Sequence, residues 1–256
     1  MNSTARFAYV QARLQARHGM RPDERVWRRL ESVSDIGAYL QVARNTALRH
    51  WVVGLHADHG AHDIELALRQ QYRRTIDEVA HWMPAGWREP VSWVRRLPDL
   101  PALQYLLTGV STPGWMRDDP ELRSFFSETP AVRVQSLQTS DCAALLKGWQ
   151  RGEPLYASWL EHWQALWPDA SRLVVGVEAL ANLLRRHIGA LILHSGAASA
   201  PLQEALSREL NRAFRRYSFQ PTAAFAHLGL VALDVQKLRS QLLQRALFAG
   251  MAESTH

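Results

Sequence analysis

The residues whose types best suit chemistry lie in HADHGAHD, where His56, His59 and His62 recur every three residues beside Asp58 and Asp63. Imidazoles and carboxylates are a common donor set for a tetrahedral zinc-type site, which would activate water or polarise a carbonyl. The spacing works against that use. Steps of three drift off one helical face, Gly60 interrupts the run, and the pattern of two histidines four apart around a glutamate is absent. The segment reads instead as a polar loop ending in a helix cap at Asp63. A helical metal-dependent enzyme using the His56/His59/His62 loop is the alternative functional reading.

Other reactive groups lack partners by spacing. Cys142 is the only cysteine, which excludes an internal disulfide, and Ala143, Ala144 and Leu145 mark it as a small core residue. Ser195-Gly196 lacks the G-x-S-x-G context of a nucleophile elbow. Lys147 and Lys237, the only lysines, follow no phosphate-binding glycine loop. Glu161 and His162, like Asp77 and Glu78, are adjacent and so diverge on a helix. No catalytic, cofactor-binding or metal-ligating residue is assigned, and neither a cofactor nor a small-molecule substrate is expected.

Trp159, Trp163 and Trp167 fall four apart on one stripe. Turned inward, the stripe anchors a helix in the core. Turned outward, it is a protein–protein hot spot, the basis of a stand-alone helical adaptor.

The elements that would position these groups are helices. In 63–83, Ile64, Leu68, Tyr72, Ile76, Val79 and Met83 share a face, while Glu65, Arg69, Arg73, Asp77 and Glu78 lie off it, toward water. Pro84 and Gly86 end that helix. A short tryptophan-rich helix follows, then one opened by Pro98 and Pro101. Upstream, the sequence predicts helices over 5–18, stopped by Gly19, from Pro22, and over 35–53 with Ser34 as N-cap. Downstream, it predicts helices from Pro154, over 171–193, over 202–217 and from Pro221, with fraying after Gly250. The weak zone 109–140 reads as an irregular connection, with short extended segments such as 132–134, between helical subdomains 1–108 and 141–256. The expected fold is all-α: a multi-helix funnel or bundle built from repeated helix groups, in two or three closely packed subdomains.

The net charge of +6 and pI near 10 invite a nucleic-acid reading. The arginines are nevertheless spread over every helix (Arg13, Arg44, Arg95, Arg185, Arg212, Arg239) with no run of like charge, so no nucleic-acid partner is expected. No apolar run approaches the roughly 20 residues of a membrane span, and the first residues lack the layout of a signal peptide. The expected compartment is the cytosol.

Five stretches carry a family resemblance: FAYVQARLQAR (7–17), SDIGAYLQVARNT (34–46), HDIELALRQQYRRTIDEV (62–79), RRLPDLPALQYLL (95–107) and FQPTAAFAHLGLVALDVQKLRSQLLQRALF (219–248). In that order the chain resembles a divergent, short member of the C/d subunit family of V-type and A/V-type ATPases. Asp99 matches an aspartate ahead of a leucine-rich helix end, and Asp234, Leu238 and Arg239 match an acid followed one turn later by Leu-Arg. The resemblance implies a non-catalytic subunit between the central stalk and the proteolipid ring. Such a subunit transmits torque during ion transport and lies at the inner membrane through its protein partners.

Overall fold

A computed structural model describes residues 3–108, 115–125, 127, 129–168, 171–193 and 199–253, and among these there are helices and turns but no strand. The chain is an all-α multi-helix bundle. In order it forms α1 (Ser3–Gly19), α2 (Glu24–Glu31), α3 (Ile36–Arg44), α4 (Arg49–Val52), α5 (Ala61–Trp82) and α6 (Ala85–Ser92). A 3-10 segment (Trp93–Asp99) leads into α7 (Leu100–Leu107). Then come α8 (Trp115–Asp118), a second 3-10 turn (Arg123–Phe125), α9 (Pro130–Gln138), α10 (Ala143–Gln150) and α11 (Leu155–Ala165). Three long helices close the chain, α12 (Ser171–Leu193), α13 (Ser199–Arg216) and α14 (Pro221–Glu253). Ser195 and Gly196, and the tail beyond Glu253, lie outside the described residues.

Local chemistry sets most boundaries. Asp23 and Asp35 cap α2 and α3, accepting from the N–H groups of Val26 (2.9 Å) and Ala38 (2.7 Å). The cap of α3 is therefore Asp35 and not Ser34. The single helix expected over 35–53 is also split. Thr46 Oγ1 donates to the Ala43 carbonyl and accepts from Leu48 N–H, and the Asn45 amide donates to the Gln41 carbonyl. Side chains thus take over backbone partners and end the helix at Arg44. Pro90 and Pro98 each lack a donor, which keeps 85–107 in short, tight turns. Residues 132–134, expected to be extended, are helical, because Pro130 occupies the first turn of α9, where its missing N–H costs nothing.

α5 and α14 are the central pair. α14 packs on α1, α3, α5, α6, α12 and α13, and α5 additionally meets α4, α6, α8 and the 3-10 segment. The expected stripe of α5 is buried as read: Ile64, Leu68, Tyr72, Ile76, Val79 and Met83 are each under 5% exposed. Full burial of such side chains stabilises by about 1.5–3 kcal/mol apiece. Helices approach closely where glycine allows it. A Cβ on Gly176 would lie 2.6 Å from Thr222 Oγ1 and 2.8 Å from the Tyr217 ring, so α12 sits against the α13–α14 corner. At that corner Phe219 adopts a positive φ of 62°, with its N–H donating to Gln11 Oε1 of α1 at 2.9 Å.

His227 of α14 is 2% exposed and lies near His18 of α1, which stacks on Phe214 at 4.2 Å. Burial first, then the charges of His18, Arg21 and Arg17, push His227 down to about 3. Burial, Arg21 and Arg215 also lower His18. His227 is neutral when folded, whereas the unfolded chain binds a proton there at the ordinary value of 6.5. Its contribution is complete above that value and is lost as pH falls from 6.5 toward about 3. Asp234, raised by burial against the opposing pull of Arg21, works in the other direction where it titrates. Urea denaturation at pH 7 and pH 5 isolates the histidine effect by comparison with His227→Leu. The wild type should lose roughly 2 kcal/mol more than the variant, and equal losses in the two proteins would contradict this account.

Candidate functional site

The histidine segment does not converge. His59 Nδ1 accepts the His56 N–H at 3.3 Å, and the two rings meet edge to face at 5.2 Å. His62, already on α5, turns away to Asp118, with 3.3 Å between Nε2 and Oδ2. Asp63 accepts the Gly60 N–H at 3.1 Å, so it caps α5 from the third helical position. Among the described residues no three His, Cys, Asp or Glu side chains are grouped to hold a metal ion.

Trp159 and Trp163 of the tryptophan stripe are core, and Trp167 is partly buried against them. Trp159 and Trp163 are 1% and 0% exposed and stack at 5.7 Å, while Trp163 also meets Trp167 and Phe225 edge-on. Trp93 and Trp159 exchange indole N–H to backbone carbonyl bonds at 3.1 and 3.3 Å. These contacts tie α11 to the 3-10 segment before α7, and an adaptor would need a different face. Cys142 is fully buried, and burial, opposed by Arg96, pushes its thiol up to about 12, far from thiolate reactivity. Glu161 faces Arg151 and His162 lies edge-on to Trp93, while Asp77 and Glu78 pair with Arg95 and Arg17. Each expected non-couple is occupied separately.

The principal polar assembly is one that the sequence reading placed in water. Arg69 and Arg73 are 7% and 4% exposed, because the 3-10 segment and α8 also pack on α5. Arg69 Nη2 and Arg73 Nη2 each reach Asp99 Oδ1 at 2.6 Å. Arg73 also grips Asp119 with two parallel bonds of 2.9 and 3.0 Å. Asp99 and Asp119 are fully buried, and Arg96 closes the cluster at 3.3 Å from Asp99 Oδ2. Outward, Arg96 continues to Glu121 and Asp141, and Arg95 joins Glu121 to Asp77. Burial works to raise the Asp119 carboxyl, but the hydrogen bonds and charge of Arg73, with Arg69 behind, outweigh it and hold it below its ordinary value. Two traces of this assembly exist in the sequence: arginines four apart on α5, and an acid set between leucines in LPDLP.

The buried carboxylates of this arrangement are paired with guanidinium groups, which tie α5 to the 3-10 segment and to Asp119. No family model, curated protein or solved structure matches the chain.

Removing one partner leaves buried charge uncompensated, the costly case for an ion pair. Asp99→Ala should therefore destabilise by about 3–5 kcal/mol in urea titration. Asp77→Ala, which breaks an exposed pair with Arg95, should stay within about 1 kcal/mol. Equal small effects would show that the cluster is not holding 93–107 to α5.

Proposed function

We propose that the chain is a non-catalytic coupling subunit of a V/A-type ATPase, joining the central stalk to the proteolipid ring. One observation carries the reading: the five stretches that bear the resemblance pack on one another. Stretch 62–79 binds 95–107 through Arg69, Arg73 and Asp99. It binds 219–248 through Tyr72 Oη donating to the Leu228 carbonyl at 3.1 Å, and through the Glu65–Arg239 pair. Arg17 of 7–17 meets Glu78 at 2.5 Å, and Tyr39 of 34–46 donates to Gln241 at 2.7 Å. The acid positions of the resemblance are structural. Asp99 lies inside the ion cluster, and Asp234 is gripped by Arg21 at 2.7 and 3.0 Å.

A body that passes torque between two partners needs stiffness between its contact faces. Interlocked helices with buried charge-assisted bonds supply it, since such bonds fix geometry as well as energy. No helix among the described residues is long and apolar enough to cross a membrane. In this reading the chain reaches the membrane through the ring, and its arginine-bearing faces steer it to acidic partner surfaces.

Affinity capture of the tagged chain from its native host is the test. It should recover a stalk subunit and the proteolipid, less efficiently once salt shortens the Debye length below about 8 Å. Capture of the intact chain without any ATPase subunit, at low and at physiological salt, would overturn the proposal.

A further inference from the structure

A cleft of about 470 Å³ opens where the end of α1, the α1–α2 corner and α4 face α5 and α14. That volume is within the range of small-molecule sites. Its walls are largely apolar, from Trp51, Trp82, Val79, Val231 and Met20. Its charges are three arginines and two carboxylates, Arg17, Arg21, Arg74, Glu78 and Asp234. Arg17 is spent on Glu78 and Arg21 on Asp234. Arg74 remains: it lines the cleft, is exposed, and has no ion-pair or hydrogen-bond partner among the described residues. The cleft therefore carries one uncompensated positive charge.

The buried wall adds a second, independent observation. His227 lines the same cleft at 2% exposure, and its Nδ1 is buried without a hydrogen-bond partner. Buried ring nitrogens in folded proteins nearly always have one, and leaving one unmet costs about 1–3 kcal/mol.

We propose that this cleft binds a small organic anion, a carboxylate or phosphate group carried on an apolar or aromatic body. Arg74 anchors the oxyanion, because a guanidinium matches carboxylate and phosphate oxygens with paired donors. The indoles of Trp51 and Trp82 receive the body beside the His227 ring of the buried wall. The site is independent of the coupling role, and it would make the α1–α5–α14 junction responsive to a metabolite-sized ligand.

Calorimetric titration of the full-length chain with phenyl phosphate, benzoate and inorganic phosphate tests the site, with the histidine ring resonances followed by NMR. Phenyl phosphate or benzoate should bind, inorganic phosphate at least about tenfold more weakly, and the pKa values of His50 and His227 should rise on binding. Binding of one organic probe alone identifies the head group. Arg74→Ala removes an exposed, unpaired side chain and so leaves the fold intact. It should weaken binding about tenfold, while Arg28→Ala, an exposed position of α2 that does not line the cleft, leaves it unchanged. No heat and no resonance shift with any probe would overturn the proposal. So would equal affinity for inorganic phosphate, or affinity indifferent to Arg74→Ala.

Discussion

Asp99 and Asp119 have no access to water, and the whole centre of the molecule is arranged around that fact. A buried carboxylate is tolerable only with cations and donors in place. Arg69 and Arg73 can provide them only if α5 keeps its rotation and 93–107 and 115–122 keep their position against it. The other face of α5 is then committed to α14 through Tyr72 and its apolar stripe. Buried ion pairs often add no more net stability than hydrocarbon of similar volume, whereas removing one partner leaves a buried charge uncompensated.

That constraint also explains how the molecule uses its arginine. The basic composition invites a nucleic-acid surface, yet much of the arginine is turned inward or onto neighbouring segments. Arg21 holds α14, Arg44 donates to the Leu55 carbonyl, and Arg245 donates to the Leu30 and Val33 carbonyls over the ring of Tyr39. Arginine is suited to this work because its planar fork stays charged and satisfies several acceptors at once. Lysine could not reproduce the two parallel bonds that Arg73 makes to Asp119. A helical body held this way fits the coupling role proposed above, in which partners would meet its outer faces.

Much of the fold was legible from periodicity. Helices 171–193 and that beginning at Pro221 run as the apolar spacing predicts, and the α5 stripe is buried residue for residue. The misreadings share a cause. Thr46 and Asn45 broke the helix expected over 35–53 through side-chain bonds that periodicity does not register. Arg69 and Arg73 were placed in water because amphipathicity assigns one buried face per helix, whereas α5 is covered on two. The histidine segment offered donor types without a frame, and the structure sends His62 to Asp118 and leaves His56 and His59 with each other. The cleft beside His227 was not legible at all. It is formed by residues from 17 to 234, brought together only by the packing of α1, α4, α5 and α14.

Residue-resolved native-state hydrogen exchange tests most directly whether the ion cluster makes these segments one unit. α5, residues 93–107 and the first half of α14 should open together, with the free energy of global unfolding. An opening of 93–107 that is distinct from and easier than that of α5 would contradict the account. The cluster would then be a consequence of packing and not the constraint that organises it.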